Sequence, residues 1–588
     1  MKKQIAKNVC KRPAKPVDDP KAGYKGFSRS STTIKKGTCC QKGAMPLPCD
    51  IIADKNVALK MRDGVTIYAD VFRPVTNEKI PAIVNYSPYG KGGTGAFELN
   101  EFPNRFGVPK SALSGLQAWE GNDPAYWCNH GYAIVQVDAR GAFDSEGDII
   151  YFGSGEGHDG HDAIEEIAKL SWCSGKIGMS GNSWLAMAQW RIAAECPPHL
   201  AAIAPWEGMT DPYKDIFARG GIPNVGFPEY VINLLYGRNK VEDPMAMLGE
   251  RPLYDDYWAD KFPDISRINI PAYVVASYTN PVHVIGTFRG YRMLKGNKWL
   301  RIHNTVEWPD FYDPKYSEDL RRFFDRYLLG KNNGWDNAQP VRMSILDPGH
   351  QDIVDQPEQA FPPIGVRGEE LYLNASTGRL ESSLSHKEAV AEYNLNSKQP
   401  YVDFIYIFER DTDIIGFPSL TVWVAVDGNN DGDLYVQIQK LDKKGRQLFH
   451  QTSDIGMPIS RKLLPLIFKA GVKRAELLFF GGTDGMLRLS RRGIAQVSQD
   501  NYTELALDAE SKIFDKQIVE AQIPLQPIAM RWHKGEQLRL RISSNPLKPP
   551  ALPGLPRPAT LGGDKHLIHT GGKYASKLQI SYSRGENP

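Results

Sequence analysis

A serine that follows an apolar strand is the residue best placed to act as a nucleophile. In IGMSGNSWLAMAQW, residues 177–190, an apolar run ends in Gly181-Asn182-Ser183 and continues at once as a helical pattern. Small residues at such a strand–helix turn expose a hydroxyl at the carboxyl edge of a sheet, as in a nucleophile elbow. The Trp184 amide would then lie at a helix N-terminus, where it can stabilise an oxyanion. Ser183 as an ordinary helix cap is the alternative, and Ser180 is a second candidate nucleophile.

The surrounding elements predict a mostly parallel sheet with helices on both faces. Short apolar strands alternate with amphipathic helices from residue 51 to about 338, the pattern of a doubly wound α/β domain. Between residues 206 and 268 this alternation stops, and short helical segments with Gly/Pro turns predict a cap over the strand ends. From residue 339 to 588, short strands between turn residues predict a β-sandwich. The core would therefore comprise residues 51–205 and 269–338, preceded by an extended basic arm, residues 1–50.

Charge is distributed unevenly along the chain. The 588 residues include 71 Lys and Arg and 68 Asp and Glu, a formal net charge of +3. Residues 1–43 hold twelve of the basic residues and two of the acidic ones, so this stretch carries +10 and the remainder −7. Because phosphate contacts need basic surface, a body of net negative charge argues against nucleic-acid binding.

Signals for membrane insertion and disulfide formation are weak. No stretch approaches the roughly 20 consecutive apolar residues of a membrane span, and the basic N-terminus lacks the apolar segment of a signal peptide. The chain has seven cysteines, none of them beyond Cys196, which favours a reducing compartment. We expect a cytoplasmic protein with a small-molecule substrate and no membrane or nucleic-acid partner, and leave a homo-oligomer open.

One group of side chains has the composition of a metal site. His158 and His161 alternate with Asp159 and Asp162, but the two histidines flank a predicted helix start with an N-cap pattern. A capped helix is the favoured interpretation. The sequence therefore predicts no metal site.

Several segments, taken in order, resemble one family of hydrolases. They are RDGVTIYADVFRP, NYSPYGK, DARGAFDSEG, DGHDAIEEIAKLSWCSGKIGMSGNSWLAMAQW, FFDRYLLGKNNG and WHKGEQLRLRISS. Across most of residues 55–545 the chain resembles the cocaine esterase and X-Pro dipeptidyl-peptidase group of serine hydrolases, the CocE/NonD family. The resemblance implies an α/β-hydrolase fold with a helical cap, a C-terminal jelly-roll sandwich and no cofactor.

The resemblance assigns a nucleophile and an oxyanion donor, but not an acid and a base. The family nucleophile falls on Ser183, and the family's oxyanion tyrosine falls on Tyr89. The DARG segment implies a structural pair of Asp138 with Arg140. At the family's catalytic Asp this chain has Thr279 or Asn280, and at the family's catalytic His it has Glu307.

A free serine is essentially un-ionised at neutral pH, so the nucleophile needs a base from elsewhere. We hypothesise a rearranged triad in which His283 reaches Ser183 and Glu307 orients His283, because both loops leave adjacent strand ends. His303 is the second choice of base. A structural role is the alternative for both histidines.

The function expected from these residues is acyl hydrolysis. The enzyme would be a carboxylesterase or S15-type peptidase that acts on an ester or amide of a small, partly apolar acyl group. One alternative is a pseudo-hydrolase, a binding or non-hydrolytic protein that keeps the fold without the family's Asp and His. An X-Pro-type aminopeptidase is another, but it needs a carboxylate pair for the free amine of the substrate.

Overall fold

The first part of the chain builds a long sheet and its helices. The computed structural model describes residues 8–92, 98–453, 478–548 and 554–584. The elements up to the cap are β1 (Lys11–Pro13), β2 (Ser30–Ile34), β3 (Ile51–Lys60), β4 (Thr66–Pro74), β5 (Ile80–Ser87), α1 (Pro124–Asn129), β6 (Ala133–Asp138), α2 (Ser154–Ala168), β7 (Cys173–Asn182), α3 (Trp184–Ala194) and β8 (Leu200–Trp206).

The segment after β8 forms the cap, as the loss of strand pattern predicts. Its elements are α4 (Gly226–Ile232), β9 (Lys240–Glu242), α5 (Pro244–Glu250) and α6 (Asp256–Lys261). The N-terminal arm lies on this cap, because β1 pairs antiparallel with β9. The Arg12 guanidinium donates two hydrogen bonds to the Glu229 carboxylate, at 2.8 and 2.9 Å. Residues 1–7 of the predicted arm lie outside the described residues.

The chain then returns to the sheet. The elements are β10 (Ala272–Ser277), α7 (Val284–Met293), β11 (Lys298–His303), α8 (Glu307–Phe311), α9 (Pro314–Leu328), β12 (Val341–Ile345) and β13 (Ile353–Glu358). The predicted domain boundary at residue 339 is wrong, since β12 pairs in parallel with β11 and β13 pairs with β12. A short apolar strand has the same pattern in either kind of sheet, so the sequence does not distinguish the two.

The remaining residues form an all-β domain. Its strands are β14 (Arg367–Asn374), β15 (Arg379–Glu381), β16 (Ala389–Asn394), β17 (Tyr401–Ile407), β18 (Thr412–Gly416), β19 (Ser419–Asp427), β20 (Asp433–Leu441), β21 (His450–Gln451), β22 (Phe479–Phe480), β23 (Asp484–Arg488), β24 (Ile494–Val497), β25 (Thr503–Leu505), β26 (Val519–Pro524), β27 (Ile528–Trp532), β28 (Gln537–Ser543), β29 (Lys565–Thr570) and β30 (Lys577–Arg584). This confirms the predicted change from α/β to all-β structure.

Short helical turns connect these elements. The 3-10 turns are Pro20–Ala22, Leu99–Glu101, Pro103–Gly107, Lys110–Ala112, Arg219–Gly221, Ile265–Arg267, Trp335–Asn337 and Leu489–Arg491, and a π turn spans Tyr213–Phe217. No helix in the described ranges is long and apolar enough to cross a membrane.

The order of strands in the main sheet determines where functional side chains can meet. The order is β13-β12-β11-β10-β8-β7-β5-β6-β4-β3-β2. Every neighbouring pair from β12 to β6 is parallel, so the loops that follow β5, β7, β8, β10 and β11 leave the same edge. In such sheets, ligands bind at the carboxyl ends of the strands. The confirmed fold is therefore an α/β-hydrolase sheet with a cap and a C-terminal all-β domain.

A buried ionic group joins the cap to the all-β domain. Arg219 Nη1 lies 2.9 Å from Asp484 Oδ2, and Lys548 Nζ lies 2.5 Å from Asp484 Oδ1. Burial alone would raise the pKa of Asp484, but the charges of Arg219 and Lys548 outweigh it and hold the pKa below its usual range. The Asp484 carboxylate is thus ionised between two cations.

We expect Asp484→Asn to destabilise the protein by about 3 kcal/mol, because it leaves two partly buried cations without their counter-charge. Thermal and denaturant unfolding would measure the loss. Asp336→Asn is the matched control: Asp336 pairs with Arg326 at the surface, where their side chains are 49% and 36% exposed, and such pairs contribute little. Equal losses in the two variants would contradict this account.

Candidate active site

Ser183 forms the sharp turn between β7 and α3. Its φ of 52° and ψ of −117° lie in a region that costs a non-glycine residue about 1–3 kcal/mol. Glycines allow the close packing: a Cβ on Gly181 would lie 2.6 Å from Leu185 Cβ, and one on Gly208 would lie 2.6 Å from Ala186 Cβ. Within the described structure, the Ser183 side chain makes no capping hydrogen bond to α3. The helix-cap alternative therefore does not describe it.

Ser180, the second candidate nucleophile, lies inside β7. It is paired in register with Ala204 of β8 and its side chain is buried. Its hydroxyl has no hydrogen-bond partner among the described residues. The structure therefore brings Ser183, and not Ser180, to a histidine.

His283 reaches Ser183 from the loop after β10. Its Nε2 lies 3.1 Å from Ser183 Oγ. The side chain is buried, and burial lowers its pKa to about 3 because desolvation disfavours the imidazolium. His283 is therefore neutral at physiological pH, as a base must be.

The other nitrogen of His283 contacts the backbone instead of a carboxylate. The Met209 N–H donates to Nδ1 at 3.4 Å. A neutral imidazole carries one N–H, so this contact favours the tautomer with its proton on Nε2, directed at Ser183. A general base at Nε2 needs the other tautomer. The Met209 contact is longer than the usual hydrogen-bond range of about 2.7–3.2 Å, so it opposes that tautomer weakly.

Glu307, the first residue of α8, lies beside the Ser183–His283 pair. Its Oε1 is 3.9 Å from His283 Nε2, and its Oε2 accepts a hydrogen bond from Asn280 Nδ2 at 3.1 Å. This differs from the orienting contact of a Ser-His-Asp triad, in which the acid binds the Nδ1–H. The Glu307 carboxyl instead lies on the Nε2 side, with the nucleophile. Burial, followed by the charges of Glu120 and Glu207, raises the pKa of Glu307 well above its usual range.

Glu207 and Glu120 are functional-site residues that the sequence analysis missed. Glu207 follows β8 directly, with φ 53°, and its Oε2 accepts from Asn280 Nδ2 at 2.8 Å. Its position after an apolar strand, next to the nucleophile strand, was a usable signal. Glu120 accepts a hydrogen bond from Trp308 Nε1 at 3.1 Å, and burial raises its pKa to about 8. It lies in an irregular loop without a sequence signal.

Asn280, one of the two candidates for the family's acid position, connects two of these carboxyls. One Nδ2 group donates to both Glu207 and Glu307. Its Oδ1 accepts from the backbone N–H groups of Val282 and His283, at 2.9 and 3.2 Å. The amide therefore positions the start of the histidine loop as well as the two acids.

His303, the second choice of base, is directed away from Ser183. Its Nε2 lies 2.6 Å from Glu207 Oε1, and its Nδ1 lies 2.9 Å from Thr305 Oγ1. The ring is fully buried. Because both nitrogens have these other partners, the prediction of His303 as base is wrong, and its alternative, a structural role, describes it.

Tyr89 and Trp184, the two expected oxyanion donors, lie beside Ser183. The buried Tyr89 hydroxyl is hydrogen-bonded to Ser183, and burial raises its pKa well above the usual range, so it remains a donor. The Tyr89 and Trp184 rings pack edge to face, 5.7 Å apart. The Trp184 indole donates to Glu156 at 2.7 Å, which fixes the side chain and leaves its backbone N–H at the first position of α3.

The predicted Asp138–Arg140 pair is absent from the described structure. Arg140 binds Asp159 at 2.6 Å and Asp63 at 2.9 Å. Asp138 instead lies 2.7 Å from Lys91 Nζ. Asp138 and Arg140 of the DARG motif thus take part in separate ion pairs, Asp138 with Lys91 and Arg140 with Asp159 and Asp63.

The predicted position of His158 and His161 at a helix start is also wrong. Helix α2 begins at Ser154, so both histidines lie within it. The Asp162 carboxylate is paired with Arg62 at 2.6 Å. It is therefore already engaged and does not act as a metal ligand beside the two histidines.

A largely apolar cavity opens beside the histidine loop. It lies between the cap, the start of α7 and the all-β domain, and Ile216, Phe227, Val282, Met486 and Leu555 line it. Val282 directly precedes His283. The ionic group of Arg219, Asp484 and Lys548 also lines the cavity, whereas Ser183 and His283 are not among the described residues that line it.

The fold and this site define a class of protein, the α/β-hydrolases that carry a cap and a C-terminal all-β domain. Family models match both parts: X-Pro dipeptidyl-peptidase (S15 family) over residues 63–247, and X-Pro dipeptidyl-peptidase C-terminal non-catalytic domain over residues 333–579. A solved CocE/NonD family hydrolase from Staphylococcus aureus is 30% identical, with a TM-score of 0.82 over 91% of this chain and 94% of that one. The chain belongs to the CocE/NonD family.

Shorter matches connect the chain to named esterases. It is 31% identical over 159 residues to cocaine esterase from Rhodococcus sp., which is 27% of this chain and 24% of that one. It is 29% identical over 173 residues to a putative serine esterase from Mycobacterium tuberculosis, 29% and 27% of the two chains. The matches thus span about a quarter of the length of these esterases.

We expect Glu307→Gln to raise thermal stability at neutral pH. The pKa of this carboxyl is higher in the folded protein than the value of about 4.3 in the unfolded chain, so its contribution favours folding at low pH and is lost as pH rises. The neutral amide does not titrate. The gain in Tm should be near zero at pH 4 and should grow above about pH 5.

Melting curves over a pH series would measure this gain. Glu409→Gln, at an exposed site, is the control and should show no such trend. A gain for Glu307→Gln that is the same at pH 4 and pH 8 would contradict the raised pKa.

Proposed function

We propose that this protein is a serine hydrolase that cleaves an ester of a small, partly apolar acyl group through an acyl-enzyme at Ser183. The observation that carries the proposal is the 3.1 Å contact between Ser183 Oγ and His283 Nε2 at a strained strand–helix turn. A nucleophile and a base within hydrogen-bond reach are the minimum that acyl transfer needs. Family membership supports the same class of reaction.

In this mechanism Ser183 Oγ attacks the acyl carbonyl while its proton passes to His283 Nε2. The carbonyl oxygen becomes an oxyanion and accepts hydrogen bonds from the Tyr89 hydroxyl and the Trp184 amide. Collapse of the tetrahedral intermediate breaks the ester bond, and His283 returns the proton to the leaving alcohol. Water then hydrolyses the acyl-enzyme by the same steps, with His283 again as base.

Glu307 acts on the charge that His283 acquires. When Nε2 takes the proton from Ser183, an imidazolium forms in a buried site. The Glu307 carboxyl lies 3.9 Å away, but its pKa is raised, so it stabilises that cation only where the pH is high enough to ionise it. Glu307 therefore differs from the acid of a Ser-His-Asp triad, because it does not fix the histidine tautomer by accepting a hydrogen bond from Nδ1.

An ester fits the site better than the free amine of an X-Pro-type peptidase substrate. A substrate ammonium group needs ionised carboxylates. Burial raises the pKa of Glu120 to about 8 and that of Glu307 well above its usual range, so these acids favour their neutral forms. Hydrolysis rates for a matched pair of esters, with and without an α-amine, would test this preference.

We also propose a cytoplasmic location. All seven cysteines are free thiols, which suits a reducing compartment. Fractionation of the native cells would test it.

A fluorophosphonate probe should label the native protein, and Ser183→Ala should abolish the labelling. The probe reacts only with an activated serine. Ser180→Ala is the matched control, three residues away on the same strand, and should keep the labelling if it folds. A native protein that stays unlabelled from mildly acid to alkaline pH would favour the pseudo-hydrolase.

Replacing His283 and His303 one at a time should show which histidine is the base and which has a structural role. We expect His283→Gln to lower kcat by at least about 10³-fold, since removal of a triad base has effects of this size or larger. His303→Gln should instead reduce thermal stability, because it removes a buried partner of Glu207, and kcat should fall far less. Steady-state kinetics and melting curves of both variants would decide, and the reverse pattern would refute the assignment.

A further inference from the structure

Two β-turns from distant parts of the chain face each other where the main sheet meets the all-β domain. In the first, after β12, the His350 N–H donates to the Asp347 carbonyl at 2.8 Å. In the second, between β27 and β28, the Glu536 N–H donates to the His533 carbonyl at 2.9 Å. Leu346 forms a parallel bridge with Met530 directly beside them. Backbone hydrogen bonds therefore fix the two turns together.

The turns bring together side chains of the types that bind transition metals. Asp347, His350 and His533 each place one donor atom within 4.8 Å of the other two. The two imidazole rings are 4.2 Å apart, and His533 Nε2 is 2.8 Å from Asp347 Oδ2. The two histidine side chains are 48% and 29% exposed, so an ion could enter from solvent.

The hydrogen bonds of His533 leave one of its contacts unexplained. Its Nδ1 lies 3.2 Å from Asp411 Oδ2, while its Nε2 faces Asp347. A neutral ring has one N–H and can donate to only one of these carboxylates. With Nδ1–H donated to Asp411, the Nε2 lone pair faces the oxygen of Asp347, and a cation shared by both would remove the repulsion. Metal-binding histidines commonly donate their other N–H to a carboxylate in this way.

The charge of the group also matches one divalent ion. Lys440 Nζ lies 2.6 Å from Asp347 Oδ1 and 2.9 Å from Glu536 Oε2, and Glu536 Oε1 lies 3.1 Å from His350 Nε2. Three carboxylates, counting Asp411, and one ammonium leave a net charge of −2 when the histidines are neutral. The nearby Arg531 is paired with Asp413 at 2.7 Å and does not change that balance.

We infer that Asp347, His350 and His533 form a binding site for Zn²⁺. Two imidazole nitrogens and one carboxylate suit zinc, whereas calcium and magnesium prefer all-oxygen sites. Asp411 fixes the tautomer of His533, and Lys440 and Glu536 position Asp347 and His350. The ion would join the two domains at the facing turns, and its role would be structural.

The test uses the full chain, stripped of metal with a chelator, and titration with ZnCl₂ alone. We expect one Zn²⁺ per chain and a higher Tm in its presence, since a ligand that binds only the folded state stabilises it. His350→Gln and His533→Gln should each weaken binding at least about tenfold, as losses at metal sites commonly do. His350 is half exposed, so its variant should fold even if the His533 variant does not.

His199→Gln is the matched control. His199 also lies beside a carboxylate, 2.7 Å from Glu165, and its side chain is 45% exposed, but among the described residues it belongs to no group of three possible ligands. It should leave zinc affinity unchanged. Co²⁺ should give visible ligand-field absorption in the native protein, and His350→Gln should lose it.

Two results would overturn the site. Equal zinc affinity in the native protein and in His350→Gln would indicate adventitious surface binding. A native protein that binds no zinc and shows no rise in Tm would show that these three side chains do not form a metal site.

Discussion

The backbone of Ser183 is held in a conformation that a non-glycine residue rarely adopts, and the rest of the site is arranged around it. Its N–H donates to the Trp206 carbonyl at 3.3 Å, and the preceding N–H, of Asn182, donates to the Glu120 carbonyl at 3.1 Å. These bonds come from β8 and from the loop before α1. The turn therefore persists because its surroundings determine it, as strained functional residues generally require.

Once Ser183 Oγ is fixed, the neighbouring strands limit where a base can come from. Strands β10 and β11 are parallel and adjacent, so the loops that follow them reach the same volume. Here the histidine follows β10 and the acid follows β11, the reverse of the order that the family resemblance implies. This exchange of positions keeps the histidine within reach of Ser183 Oγ, but it changes the charges around the histidine. The acid now lies beside Nε2 among other buried acids, and a backbone N–H takes the contact at Nδ1 that a carboxylate would hold in a triad.

The sequence predicted the parts of this arrangement that depend on periodicity and strand order. The sheet, the cap, the all-β domain and the positions of Ser183 and His283 all follow from apolar strands that end at one edge. It did not predict the direction of His303, because this depends on a contact with Glu207 from another strand. The sequence pattern also assigned β12 to the wrong sheet, because a five-residue apolar strand does not indicate which strand it pairs with. In the zinc proposal, Asp347 and His350 lie in one turn, but the third ligand, His533, lies far along the chain, so local spacing alone could not have indicated the site.

The pairing of β1 with β9 changes how the cap can move. If the chain's entry and exit points were the only connections of a cap to the body, the cap could rotate as a rigid body about one hinge. Here the Arg219–Asp484 pair ties the cap to the all-β domain, and the N-terminal arm adds strand hydrogen bonds and the Arg12–Glu229 pair, so the cap cannot move away without breaking these contacts. A cap fixed in this way selects molecules by the shape of the path that it leaves to Ser183, more than by the timing of any opening.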